Sequence, residues 1–190
     1  MSSQPLDMGV PIRRVIASSD AKGNGYFTSD DLLTPYDPTT SPHFSVPGPD
    51  AGFGVVQIHR SRSLPANNQR QLSDPHRTLV PLADTKGASC RILDLPPAES
   101  GWFHRTLSLD YAVILKGTVG FITDGGAETV LKEHDVIVCR GVNHEWVNRG
   151  EGVARIFVVL VPSLEIVTHD GTRLEKSQAG DIYDPKEEED

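Results

Sequence analysis

Through the middle of the 190-residue chain, apolar and polar residues trade places every second position. That period turns successive side chains to opposite faces of a strand. Ser89-Cys90-Arg91-Ile92-Leu93-Asp94-Leu95 shows it well, and Pro96-Pro97 ends it. Similar runs predict strands over 12–17, 26–28, 53–59, 103–115, 119–123, 128–131, 135–139, 144–148 and 154–161. Turn chemistry separates them at Asp20–Gly25, Lys116-Gly117, Asp124-Gly125-Gly126, Lys132-Glu133-His134 and Arg149–Gly152. Short strands with frequent turns predict an all-β sandwich or barrel, the jelly roll being one double-sheet solution.

The pattern weakens toward both ends. Residues 1–50 read as a loose start, a hairpin over 11–30 and an arm carrying Pro35, Pro38, Pro42, Pro47 and Pro49. Such proline density excludes a regular helix or central strand from the arm. Residues 51–170 hold the barrel, with the core motifs in 102–148. A polar stretch at 60–78, including Asn67-Asn68-Gln69, reads as a mobile loop able to cover a barrel mouth. Segment 163–183 reads as an edge strand or a short helix. Residues 171–190 form an extension that ends in the acidic Asp184-Pro185-Lys186-Glu187-Glu188-Glu189-Asp190, read as a solvated, disordered tail.

Composition narrows the classes. The net charge is -8, which argues against a general nucleic-acid surface or an anionic membrane surface. Cys90 and Cys139 are too few for a disulfide framework and read as core residues. There is no apolar signal region after Met1 and no run near ~18 apolar residues. The expected location is therefore the cytoplasm.

Alternation also selects the candidate chemistry. A strand over 103–115 puts His104, Thr106, Ser108 and Asp110 on one face, with Arg105 and Tyr111 on the other. A strand over 144–148 puts His144, Trp146 and Asn148 together. Two such strands aim His104, Asp110 and His144 at one point. Two imidazoles and a carboxylate with open positions suit iron(II), or zinc with water in the fourth place. The competing reading is a polar barrel interior satisfied by hydrogen bonds and water. Trp146 is a candidate for stacking a flat substrate, or core. Arg140 is a candidate for meeting a substrate carboxylate, or for pairing with an acidic neighbour. His59 is a further possible inward ligand, and His134 sits in an exposed turn.

These residues resemble the cupin superfamily. The chain reads His104-x-Thr106-x3-Asp110-x6-Gly117, then Gly141-x2-His144-x3-Asn148. The first spacing matches the usual cupin motif, with Thr106 in place of the second His and Asp110 in place of the Glu. Cys139 stands at the second motif's Pro position. The form Arg140-Gly141-x-Asn143-His144-x-Trp146-x-Asn148 resembles small single-domain cupins of bacteria and of fungal metabolic clusters. The resemblance implies a cupin jelly-roll β-barrel with an N-terminal strand extension. It also implies a structural role for Asn148 and a homodimer, with the N-terminal hairpin as a candidate dimer arm.

Two functions are expected from different classes. The first is a metal-dependent enzyme with zinc, iron(II) or manganese at His104, Asp110 and His144. It would act on an oxo acid or an aromatic, polyketide-like metabolite by decarboxylation, dehydration or isomerisation, with iron(II) dioxygenase chemistry as a variant. The second is a metal-free, non-catalytic binding barrel. A superfamily with this breadth of activity does not settle the choice.

Overall fold

The computed structural model describes residues 10–37, 53–70, 74–76, 81–98 and 100–177. The acidic tail, the start of the chain and most of the proline-rich arm lie outside the described residues. Among the described residues every regular element is a strand: β1 (Ile12–Ser19), β2 (Gly25–Leu33), β3 (Gly54–Arg60), β4 (Ser89–Leu95), β5 (Ser108–Lys116), β6 (Thr118–Thr123), β7 (Glu128–Lys132), β8 (Val136–Arg140), β9 (His144–Asn148), β10 (Ala154–Pro162), β11 (Ile166–Val167) and β12 (Arg173–Leu174). The open choice over 163–183 resolves as two short strands, β11 and β12, paired with each other.

Two sheets build the body. The larger has the order β3-β4-β10-β5-β8 and the smaller β7-β6-β9. Their facing sides share one apolar core. It draws Leu95 from β4, Ala112 and Ile114 from β5, Phe121 from β6, Trp146 from β9 and Ala154, Ile156, Val158 and Leu160 from β10. Alternation sends the intervening residues of β10 outward, as the period of two requires. This is the double-sheet cupin architecture, opened rather than closed into a full barrel.

The N-terminal hairpin forms as expected, and β1 and β2 extend further than the sequence pattern suggested. The hairpin contributes Ile12 and Leu33 to a second cluster on the outer face of the large sheet, with Val56, Ile58, Ile92 and Phe157. Arg14, buried in β1, clamps it there. Its guanidinium donates to both Asp74 carboxylate oxygens at 2.8 and 2.9 Å and to the Ile58 carbonyl at 3.0 Å. The clamp pulls the Asp74 carboxyl down to about 2.

One boundary differs in a way that matters for the site. The sequence predicts a single strand over 103–115. In the structure β5 begins only at Ser108, and the chain before it belongs to the other sheet. Ser100 and His104 form bridges to Val147 and His144 on β9. The chain therefore crosses between sheets over 105–107. Two glycines fit their tight positions nearby. Gly117, at φ +87°, turns β5 into β6 where a Cβ would lie 3.0 Å from the Ala154 Cα. Gly141, at φ +64°, leads into β9 against Ile166.

A buried ion pair fastens β4 to β10. Arg155 donates two hydrogen bonds of 2.6 Å to the Asp94 carboxylate, and the Asp94 side chain is 1% exposed. Removing one partner of such a pair strands a buried charge and costs about 3–5 kcal/mol, whereas an apolar replacement of both is far milder. Arg155→Ala is therefore expected to lower unfolding free energy in urea by about 3–5 kcal/mol. The double change Asp94→Leu with Arg155→Met is expected to recover most of that loss; equal loss in both would refute this assignment.

Candidate functional site

The site is built on a direct cross-strand pair. His104 and His144 exchange backbone hydrogen bonds, each N–H donating to the other's carbonyl at 2.9 Å. Directly opposed residues on antiparallel strands present their side chains on the same face. The two imidazole rings accordingly lie 4.4 Å apart between centroids.

Both rings are held the same way. His104 Nδ1 lies 2.7 Å from the Trp102 carbonyl oxygen, and His144 Nδ1 lies 2.8 Å from the Val142 carbonyl oxygen. A carbonyl only accepts, so each Nδ1 carries the proton and donates. Burial lowers the pKa of both rings, that of His144 to about 4, with His104 beside it adding to the shift; Arg91 adds to the shift of His104. Both rings are neutral near pH 7. With Nδ1 protonated, each Nε2 carries a lone pair. This is the tautomer and the backbone support that metal-binding histidines use.

Phe121 stacks on His144 at 4.7 Å and 20° between planes, and Trp146 meets both in edge contacts. Trp146 is 7% exposed and belongs to the core. It braces His144 from behind rather than offering a face for stacking. The exposed aromatics by the pair are Trp102 and Phe103.

Asp110 shares the interior but not the histidines' sheet. It is buried on β5, cross-strand from Leu160 and Cys139. Its carboxylate sits 2.6 Å from Ser108 Oγ, which lies 2.7 Å from Thr106 Oγ1. Burial raises the Asp110 carboxyl to about 6, against the pull of Ser108, Arg91 and Thr106. Cys139 links the groups: its Sγ lies 3.7 Å from His144 Nδ1, and burial, with Asp110 adding to it, raises the thiol to about 11. Among the described residues no three His, Cys, Asp or Glu side chains gather closely enough to hold a metal ion. The histidine pair suits an ion's imidazole ligands; the expected third ligand is turned to Ser108. The reason is the crossing at 105–107, which puts His104 and Asp110 on different sheets.

The other sequence candidates separate cleanly. Arg140 is exposed and alternates with buried Cys139 on β8, so it points away from the interior. His59 is half-buried on the hairpin side; burial lowers its pKa, with Arg14 contributing. It helps to line a cleft of ≈ 1370 Å³ between the hairpin turn and residues 59–70. The described part of the expected 60–78 lid lines that cleft, whose walls include none of His104, Asp110 or His144. His134 is exposed in its turn at φ +75°. Asn148 is structural: its Nδ2 donates to the Leu95 and Gly152 carbonyls at 2.8 Å, and its Oδ1 accepts from Gly150 N–H at 2.8 Å. Arg105 donates to the Gly141 carbonyl at 3.1 Å.

Two interior residues escaped the sequence reading. Arg91 on β4 is 4% exposed and its Nη2 donates to the Pro81 and Leu82 carbonyls and to Ser89 Oγ. Gln57, 1% exposed, lies directly across from it on β3. The signal was present: Ser89 and Arg91 share parity with Leu93 and Leu95, which pack toward the core.

No family model matches the chain. Named relatives do. The cupin-domain-containing oxidoreductase virC of Hypocrea virens is 28% identical over 170 residues, 87% of this chain and 83% of virC. The cupin-domain-containing oxidoreductase srdD of Neurospora crassa is 30% identical over 57% of each chain. Phomopsin biosynthesis cluster protein D of Diaporthe leptostromiformis is 44% identical over 63 residues, 33% of each chain. The chain thus spans little more than half of srdD and a third of the phomopsin protein. Among solved structures, the Schizosaccharomyces pombe Cnp3 cupin domain has 9% identity and a TM-score of 0.44, covering 80% of this chain and 88% of that one. An ethanolamine utilization protein from Salmonella typhimurium has 14% identity and a TM-score of 0.42, covering 82% of this chain and all of that one, 100%. The named sequence relatives virC and srdD are cupin-domain-containing proteins, and the double-sheet β architecture accords with the resemblance read from the motifs. No helix of the described residues is long and apolar enough to cross a membrane.

The buried acid gives a pH test. Asp110 titrates at about 6 when folded and near ~3.9 when unfolded. Between those values the folded chain holds the proton more tightly, so stability falls as pH rises through this window and stays lowered above it. Metal-free Asp110→Asn is expected to be more stable than wild type at pH 7.5, by up to about 2–3 kcal/mol. That advantage is expected to fade below about pH 4. Denaturant melts across this range check it, and an advantage independent of pH would refute it.

Proposed function

We propose that this chain is a metal-dependent cupin enzyme of secondary metabolism, its ion held through Nε2 of His104 and His144. One observation carries the reading: two neighbouring imidazoles, His144 buried and His104 half-buried, each with Nδ1 tied to a backbone carbonyl and each Nε2 bearing its lone pair. Pairing two hydrogen-bond acceptors in a buried site is unfavourable unless a cation or a donor lies between them. A bound divalent ion would supply Lewis-acid or redox chemistry to a small metabolite.

The protein's own groups set up the rest. Asp110, close to neutrality in its pKa, exchanges a proton at its carboxylate, and Ser108 with Thr106 orients that carboxylate along β5. Phe121 and Trp146 fix the His144 ring and exclude water behind it. The relatives virC, srdD and, from Aspergillus ruber, fogC are named as oxidoreductases. They favour the iron and oxygen variant over the lyase or isomerase chemistry expected from sequence.

Elemental analysis of purified protein, wild type beside His144→Ala, tests the proposal. Near-stoichiometric metal in the wild type and at least about tenfold less in the variant is the expected result. Iron with substrate-linked oxygen uptake would mark the oxidoreductase; zinc or manganese without it would mark the Lewis-acid enzyme. A folded wild type that stays metal-free after reconstitution, and whose Tm ignores zinc, iron and manganese, would leave the non-catalytic barrel.

We also propose that the chain pairs with a second copy. Phe27 and Leu32 of the hairpin are 76% and 72% exposed, and Val136 and Val138 on edge strand β8 are 60% and 51% exposed. A bare apolar edge of this kind invites pairing. Light scattering at micromolar concentration is expected to give the dimer mass, and Phe27→Asp with Leu32→Asp to shift it toward monomer; a monomeric wild type would refute the pairing.

A further inference from the structure

We infer that Arg91 and Gln57 form an oxyanion-binding end of the interior, so that the barrel takes a small organic acid whose carboxylate or enolate oxygen lies against them. The inference rests on the reading of the interior as a small-molecule site. It deepens that reading by naming the substrate class.

The placement is fixed by register. Gln57 on β3 lies directly opposite Arg91 on β4, so their side chains share a face. That face is the inner one, since Leu93 and Leu95, two and four residues along β4, pack into the shared core. The next inner row toward the histidines contains Ser89, Leu160, Asp110 and Cys139. Arg91 reaches toward that row, with its Nη2 at 3.2 Å from Ser89 Oγ. Its charge is felt at both His104 and Asp110, lowering the pKa of each. The cation therefore faces the groups where the chemistry is proposed.

Gln57 is the second, independent observation. Its side-chain amide is 1% exposed, and its Nε2 has no hydrogen-bond partner among the described residues. A buried amide donor left unmade costs about 1–3 kcal/mol. Beside a guanidinium, the species that would satisfy this amide donor is an anionic or strongly polarised oxygen. Around these donors the inner face of the large sheet carries apolar Ala112, Val158 and Leu160. Polar recognition at one end and apolar walls elsewhere match an acid with a hydrocarbon or aromatic body.

The test uses purified full-length chain and two probes of equal size, benzoate and benzyl alcohol, in titrations followed by ligand-observed NMR or calorimetry. Wild type is expected to bind benzoate saturably and at least about tenfold more tightly than benzyl alcohol. Gln57→Leu and, separately, Arg91→Lys are expected to weaken benzoate by about tenfold while leaving benzyl alcohol unchanged. Gln57→Leu fills the same volume without the donor and guards against misfolding of the arginine variant. Equal binding of the two probes, no saturable benzoate binding, or benzoate binding unchanged in Gln57→Leu would each overturn the inference. Benzoate binding lost in His144→Ala but kept in Gln57→Leu would place the carboxylate on the histidine-held ion and also overturn it. Because the metal content of His144→Ala is read separately, failure here and failure of the metal proposal are told apart.

Discussion

The two-way backbone bond between His104 and His144 is the constraint on which the site depends. It forces the imidazoles to the same face at close spacing, whatever their side chains prefer. It also fixes where the chain leaves the small sheet, because 105–107 must then cross to start β5. Carbonyls immediately beside each histidine, from Trp102 and Val142, set the tautomers. A histidine pair oriented by the backbone loses little side-chain freedom on taking a ligand, which is the general advantage of a preorganised site. Gly141 serves the same end: its left-handed turn lets β9 start where it can meet residue 104 while Ile166 closes in from outside.

The interior beyond that pair is polar in a graded way. The histidines are pushed toward neutrality by burial, Asp110 is pushed toward its protonated form, and the Cys139 thiol is held well above the usual range. Desolvation is the leading cause in all four cases. The common outcome is that these four titratable groups favour their uncharged forms where water is excluded. Arg91, a guanidinium that keeps its proton, acts on two of them, lowering the pKa of His104 and Asp110. Thr106 belongs to this arrangement. As a neutral hydroxyl bonded to Ser108, it extends the hydrogen-bonded row that steadies Asp110, a role different from that of a metal ligand.

Much of this was legible in the alternation alone. The strands at 89–95 and 144–148 were read with their true limits, because both faces there are decided by burial. The inward set His144, Trp146 and Asn148 followed directly, as did the outward placement of Tyr111; Arg105 lies instead in the crossing, its side chain largely covered. The continuous strand over 103–115 was not a sound inference. A period of two does not register a change of sheet when the residues at the corner keep the same parity: His104, Thr106, Ser108 and Asp110 all point inward, but from two sheets. Of the two roles left open for Arg140, its alternation with buried Cys139 already turned it outward, away from a ligand in the interior. Arg91 and Gln57 were passed over because charged and amide residues in a strand suggest solvent, although Arg91 shares the parity of core-facing Leu93 and Leu95 and the cross-strand register puts Gln57 on the same face.

The crossing has a consequence for how the protein can work. The histidines ride on the small sheet, while Asp110, Arg91 and Gln57 ride on the large one. Their relation is therefore set by the core between the sheets and by Asn148, whose amide on β9 reaches the Leu95 carbonyl of β4. Apolar packing resists small changes of spacing because the interior is dense and has few voids. Changes to Ile114, Val158 or Ile156 should then act on the site at a distance, by altering the gap between the imidazoles and the acid without touching either. The same geometry separates two tasks. The small sheet holds the lone pairs that would take an ion, and the large sheet holds the proton donor and the fixed cation. A ligand lying between them would be held by both sheets at once, so its affinity would report on their separation as well as on its own contacts.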